Sequence, residues 1–201
     1  MPVRRAIAAG MAPTVHLFAK WPEPGRVKTR MIPALGAPGA AALHRRLTER
    51  TVAEMRASGL PFAVRTSGAD AATFAGWLGT DVPLIEQGDG DLGARMGRVA
   101  APAVLLGADI PDLTADHIRA MAAAIAAAPV AIGPAADGGY WSIAVREALP
   151  LLWDDMAWGT DAVLAETLRR LKAAGIEPVL LETLSDCDRP EDLARWPWLT
   201  A

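Results

Sequence analysis

The 201-residue sequence predicts an α/β fold with a mostly parallel central sheet and helices on both faces. Three observations carry this. Short apolar, β-rich runs alternate with helical patterns along the chain. The run Ala103 to Leu106 is apolar throughout, as in a parallel strand covered on both faces. Charged residues and glycines gather just after the apolar runs, where such sheets bind ligands.

In chain order, residues 1–12 read as a loose N-terminal extension and 13–201 as a single domain. Thr14 to Ala19 is a first strand, followed by a Pro/Gly-rich loop to Gly39 and a helix from Ala40 to Ser58 ended by Gly59. Pro61–Thr66 and Val82–Ile85 are strands around a short helix, Ala71–Leu78. A glycine-rich turn leads to a helix near Gly93–Ala100, and Ala103–Leu106 is the fourth strand. Thr114 can N-cap a helix to Ala128, which Pro129 stops. Val130–Ile132 and Tyr140–Val145 are strands, Thr160–Ala174 a helix closed by Gly175, and Pro178–Leu181 the last strand.

Composition excludes several function classes. With 23 acids and 20 bases the net charge is −3, which argues against a nonspecific nucleic-acid binder. Cys187 is the one cysteine, so no intrachain disulfide forms, and three scattered histidines argue against zinc. No apolar stretch suits a membrane span, and Arg4-Arg5 with the short run to Ala12 makes a poor signal peptide. The expected location is cytoplasmic.

The chemistry sits after the strands. Lys20, Arg26, Lys28 and Arg30 crowd the first loop, several times the chain's average density of bases, and suit a phosphate-rich ligand or a solvated turn. Val27 before Lys28-Thr29 excludes a Walker A loop, which needs glycine there. Gly88, Gly90 and Gly93 match the dinucleotide fingerprint literally, but Asp89 and Asp91 would repel a pyrophosphate. Gln87 to Gly93 therefore reads as a nucleobase loop or a structural turn. Asp109 can hold Mg²⁺ or Mn²⁺, or cap a helix, while Asp112 reads as structural. Asp137, with Gly138, Gly139 and Tyr140, can bind sugar hydroxyls, act as a base, or form an Asp-Gly hairpin turn. On spacing alone Asp188 is a cap before Pro190, with metal ligation as the alternative. Trp158 can line a pocket, or pack as a core residue beside a Thr160 cap.

Four blocks in register, Lys-x-Pro-x-Pro-Gly-x-Val-Lys-Thr-Arg (20–30), Gly-Asp-Leu-Gly-x-Arg-Met (90–96), Gly-x-Asp-Ile-Pro-Asp-Leu (107–113) and Gly-Pro-Ala-x-Asp-Gly-Gly-Tyr (133–140), resemble a bacterial family. It comprises small GT-A-fold nucleotide-diphosphosugar glycosyltransferases, including ones linked to arsenosugar biosynthesis. The resemblance spans residues 14–195. It implies a Rossmann-like nucleotide-binding sheet, a divalent metal, a nucleotide-diphosphosugar donor and a small-molecule acceptor. Carried over, Lys20, Arg26, Lys28 and Arg30 contact phosphates, and Gln87, Gly88, Gly90, Asp91 and Gly93 lie near the base. Asp109 is the metal aspartate. Asp-Cys-Asp-Arg-Pro-Glu-Asp-Leu (186–193) is similar to a segment of related nucleotidyltransferases that supplies a second ligand, here Asp188, although Arg189 replaces their threonine. Asp137 and Lys28 become the catalytic pair, and Gly138, Gly139, Tyr140 and Trp158 the substrate wall. Lys28-Thr29-Arg30-Met31 also resembles the loop of phospholactate guanylyltransferases, which implies nucleotidyl transfer with pyrophosphate release as the alternative. A nucleotide-binding protein without chemistry is a third.

Overall fold

The computed structural model describes residues 12–200, so the extension expected over 1–12 lies outside the described residues but for Ala12. Seven strands form one sheet: β1 (Thr14–Lys20), β2 (Phe62–Ser67), β3 (Leu84–Glu86), β4 (Ala103–Leu106), β5 (Val130–Pro134), β6 (Tyr140–Val145) and β7 (Val179–Leu180). Their order is β3-β2-β1-β4-β6-β5-β7. All neighbours are parallel except β6, which runs antiparallel to both β4 and β5. β5 and β6 are thus a hairpin, and Ala136 to Gly139 is its turn. The chain leaves β1 toward β2 on one side and enters β4 on the other, which places a switch point between β1 and β4.

Among the described residues five α-helices accompany the sheet: α1 (Ile32–Ser58), α2 (Ala71–Leu78), α3 (Leu92–Gly97), α4 (Ala115–Ala127) and α5 (Val163–Ala173). α1 starts eight residues before the expected Ala40. Pro33 is tolerated in its first turn, where no intrahelical donor is needed. Gly36, at φ 68°, then breaks the helix, and it resumes through Pro38. α5 begins at Val163, later than expected, because the Thr160 hydroxyl donates to the Ala157 carbonyl instead of capping.

β4 shows why its run is wholly apolar. Val104 and Leu106 face one core with Leu17, Met55, Phe74, Ile118 and Met121. Ala103 and Leu105 face the other with Met96, Ile132, Ile143, Leu152 and Leu171. Each fully buried side chain of this size contributes about 1.5–3 kcal/mol. A third cluster seats Cys187, Trp196 and Leu199 against Leu43 and Leu47 of α1. That packing brings the C-terminal segment under the ends of β1 and β4. Among the described residues no helix is long and apolar enough to cross a membrane.

Candidate functional site

Lys28 sits at the switch point. Its backbone is left-handed (φ 45°, ψ 43°), and its side chain is only 3 % exposed. The ammonium lies 2.5 Å from Asp109 Oδ1 and 3.6 Å from Asp188 Oδ1, and donates to the Cys187 carbonyl at 2.8 Å. Three segments meet on this one nitrogen: the loop after β1, the loop after β4, and the C-terminal segment. The Cys187 amide donates to the Asp109 carbonyl at 2.9 Å, which locks two of them together. Burial disfavours the Lys28 ammonium, but Asp109 and Asp188 outweigh it, and the pKa lies above the usual lysine value. Burial likewise works against the Asp109 carboxylate, and the Lys28 charge overcomes it, holding the pKa below the usual range. Asp109 is nonetheless half exposed at a cavity wall.

That cavity has a volume of about 430 Å³ and opens at the carboxyl ends of β1 and β4. Arg30, Asp109, Asp137, Asp186 and Asp188 line it, together with the apolar and aromatic residues Phe18, Leu92, Met96, Tyr140, Trp158 and Val163. A second cavity of about 380 Å³ adjoins it, sharing Arg30, Asp137, Asp186 and Asp188 and adding Asp161, Arg189, Asp192 and Arg195. Arg30 Nη1 meets Asp188 Oδ2 at 2.5 Å.

Of the residues singled out in the sequence, Arg30, Asp109, Asp137, Asp188, Gly139, Tyr140 and Trp158 line the first cavity, with Lys28 directly behind the aspartates. Asp188 is not a cap. Asp192 takes that work, its carboxylate accepting from the amides of Asp188 and Arg189. Asp109 is not one either, since Thr114 caps α4. Asp112 is structural, as expected, accepting from the Trp196 indole. Asp137 is both turn residue and wall: its Oδ1 accepts from the Gly139 amide at 2.9 Å.

The remaining residues are held elsewhere. Lys20 donates to the Arg26 carbonyl, and Arg26 pairs with Glu23 at 3.2 Å, so both bases fold onto their own loop. The Gln87 amide is already satisfied. It donates to the Ala19 and Arg65 carbonyls and accepts from Arg95 at 3.1 Å. Gly88 and Gly90 take positive φ in that loop. Asp91 caps α3, accepting from the Ala94 amide at 2.8 Å. Gly93 is a close approach: a Cβ there would stand 2.2 Å from the Trp153 carbonyl oxygen and 2.7 Å from the Trp158 indole nitrogen. Gly138 is another, 2.2 Å from the Asp161 carbonyl oxygen.

Three polar wall residues escaped the sequence reading. His44 lies on α1 at a position indistinguishable from its neighbours by pattern. Its Nε2–H donates to the Lys20 carbonyl, and burial lowers its pKa. Asp186 lies where both cavities join, and burial followed by the nearby Asp137 charge raises its pKa. Its signal was the Asp-Cys-Asp triplet. Ser142, 1 % exposed, left none.

Comparison with solved structures defines the class of fold. A protein of Desulfovibrio desulfuricans G20, provisionally described as a nucleotide-diphospho-sugar transferase, superposes with a TM-score of 0.82 at 29 % identity, covering 90 % of this chain and 84 % of that one. CMP:2-keto-3-deoxy-manno-octonic acid synthetase, solved with CTP, shares the fold at TM-score 0.55 and 14 % identity, over 93 % and 98 %. Rv0371c of Mycobacterium tuberculosis H37Rv does so at 0.50 and 18 %, over 95 % and 100 %. The fold is that of the nucleotide-diphospho-sugar transferases. The chain belongs to the family described as "Uncharacterized protein conserved in bacteria (DUF2064)", which matches residues 50–160. No curated protein matches it.

Proposed function

We propose that this chain is a metal-dependent glycosyltransferase, moving a sugar from a nucleotide-diphosphosugar donor to a small-molecule acceptor. One observation carries the reading: the buried Lys28 ammonium held at Asp109 and Asp188, which with Arg30 line a cavity at the switch point. Sugar transfer breaks the bond between the anomeric carbon and the diphosphate oxygen, and the electron pair leaves with the diphosphate. Fixed cations at that place stabilise the leaving charge. The acceptor hydroxyl oxygen bonds to the anomeric carbon, and its proton passes to a carboxylate, for which Asp137 is placed on the wall. Gly139, Tyr140 and Trp158 bound the space where the sugar and acceptor meet.

The donor set fits a hard divalent cation shared with substrate. Magnesium commonly takes one or two carboxylates and completes its shell with phosphate and water. Among the described residues no cluster of three ligands forms a protein-only cage. Asp109 and Asp188 would hold Mg²⁺ or Mn²⁺ against the diphosphate, where the ion adds to the charge neutralisation. The name of the D. desulfuricans neighbour and the resemblance to arsenosugar-linked glycosyltransferases support the sugar-transfer form.

The test is product analysis of the purified chain over a panel of nucleotide sugars and nucleoside triphosphates, with and without Mn²⁺. Metal-dependent release of a nucleoside diphosphate, lowered at least about 100-fold by Asp109→Asn, supports the reading. Pyrophosphate release from a triphosphate would replace it with nucleotidyl transfer. Tight binding without turnover would make the chain a nucleotide-binding protein.

A further inference from the structure

The second cavity, of about 380 Å³, adjoins the first and draws on different parts of the chain. The first reaches Leu92 and Met96 of α3. The second is lined, besides Arg30, by the turn between β5 and β6, residues 159–161, and the segment after β7. A 3₁₀ helix in that segment, Pro190–Arg195, borders it. Residues three apart eclipse on such a helix, so Arg189, Asp192 and Arg195 stand in one row, and all three line the cavity. Arg189 holds the N-cap position, where a side-chain oxygen usually accepts from the first amides, and an arginine has no acceptor to offer. Asp192 accepts from the amides of Asp188 and Arg189 in its place. The Arg195 guanidinium lies 4.8 Å over the Trp196 ring, which holds it at the cavity. Five aspartates line this cavity, yet among the described residues neither Arg189 nor Arg195 pairs with a carboxylate. Asp188 is instead paired with Lys28 and Arg30.

We infer that the second cavity is the acceptor subsite, and that the acceptor is an alcohol carrying an oxyanion, a carboxylate or a phosphate, which Arg189 and Arg195 bind. This rests on the sugar-transfer reading above. The planar fork of arginine matches either oxyanion with paired hydrogen bonds. Asp137, Asp161 and Asp186 also line the cavity and have no cation partner among the described residues, so they repel the oxyanion and accept from hydroxyls. The two kinds of group thus set the direction of the acceptor, charged end on the arginine row and hydroxyl toward the carboxylates. Asp137 borders both cavities, so a molecule held in the second presents its hydroxyl to that carboxylate and to a donor in the first. The acceptor oxygen then bonds to the anomeric carbon, its proton goes to Asp137, and the diphosphate departs with the electron pair.

The experiment titrates the full chain, with Mg²⁺, against glycerate, glycerol 3-phosphate and glycerol, followed by ligand-observed NMR. All three carry hydroxyls, and they differ in charge. The better of the two anions is expected to bind roughly tenfold more tightly than glycerol, and which one it is tells carboxylate from phosphate. Arg189→Gln and Arg195→Gln are each expected to weaken that anion severalfold. Glycerol binding and the melting temperature should stay put, because both side chains are exposed. The double variant is expected to erase the preference. Glycerol bound as tightly as either anion overturns the assignment, and so does a preference that survives in the double variant, which would place the anion on the Mg²⁺. Product analysis with the same three alcohols separates this inference from the reading beneath it. Sugar transferred to glycerol as readily as to the anions overturns the subsite and leaves sugar transfer standing. Anion binding that needs both arginines, with pyrophosphate released from a nucleoside triphosphate, upholds the subsite and overturns sugar transfer.

Discussion

The two sides of the sheet treat their polar groups differently. On the β3-β2-β1 side, the loop after β3 is closed on itself. Gln87 spends its amide on Ala19, Arg65 and Arg95, Arg95 also donates to the Gly90 carbonyl, and Arg98 to the Gln87 carbonyl. On the β4-β6-β5 side, Ser142 and Trp158 keep buried polar atoms unpaired, and Asp109 presents a half-exposed carboxylate to a cavity. Satisfied polar groups specify a scaffold, whereas a buried unpaired one carries a cost that its surroundings must offset. Lys28 belongs to both regimes, being fully paired yet directly behind the cavity wall.

Replacing Lys28 is the strongest way to break that contrast. Lys28→Ala leaves Asp109 and Asp188 facing each other's charge, and removes a fixed cation from the leaving-group side. Turnover is expected to fall about 10²–10³-fold. Stability, read by urea denaturation, is expected to drop by about 2 kcal/mol. That is less than for a wholly buried pair, because solvent screens the half-exposed Asp109. The pair also sets a pH window. Asp109 has a folded pKa below its unfolded value, so its contribution is present above the unfolded value near 4 and fades as pH falls through the folded one. An activity loss without any change in stability would show that Lys28 acts on substrate alone.

His16 tests the scaffold side by pH. It is buried in β1, and burial, with the Arg65 charge adding, lowers its pKa to about 4. The unfolded chain binds a proton that the folded chain refuses between about pH 6.5 and 4. Stability is therefore full above pH 6.5 and falls as pH drops through that window, by about 3 kcal/mol. In His16→Gln this part of the stability–pH curve is expected to flatten. An unchanged curve would assign the acid loss to the carboxylates.

Much of this was legible in the sequence, and the gaps have physical causes. α2, β4 and β6 fall where local pattern puts them, because their apolar spacing, flanking turns and β-branched content agree. The reversed direction of β6 was not legible. An Asp-Gly-Gly turn serves a ligand loop or a hairpin equally, and only pairing with β4 decides. Nor does spacing tell which of four neighbouring bases converge. Lys20 and Arg26 have partners within their own loop, whereas Lys28 and Arg30 find theirs about 160 residues away at Asp188. His44 and Ser142 gave no signal because helix and strand patterns do not mark which buried polar residue borders a cavity.

Gln87 and Asp91 sharpen the comparison with smaller effects. Gln87→Ala removes three internal hydrogen bonds, and is expected to cost about 1–3 kcal/mol in thermal or chemical denaturation. Nucleotide affinity should weaken alike for every base. A changed base preference would show that Gln87 reads the base after all.

Asp91 gives the smallest and cleanest case, because its two readings differ in sign. As a cap it accepts from the Ala94 amide at the start of α3. As a neighbour of phosphates it would repel them. Asp91→Ala is expected to lower stability by about 1 kcal/mol, and Asp91→Ser to retain most of it, since a serine hydroxyl can accept from the same amide. Neither should change the KM for a nucleotide sugar, because the loop spends its polar groups on itself. Both variants tightening nucleotide binding, with the charge as the common loss, would bring this loop to the ligand and erase the distinction between the two sides of the sheet.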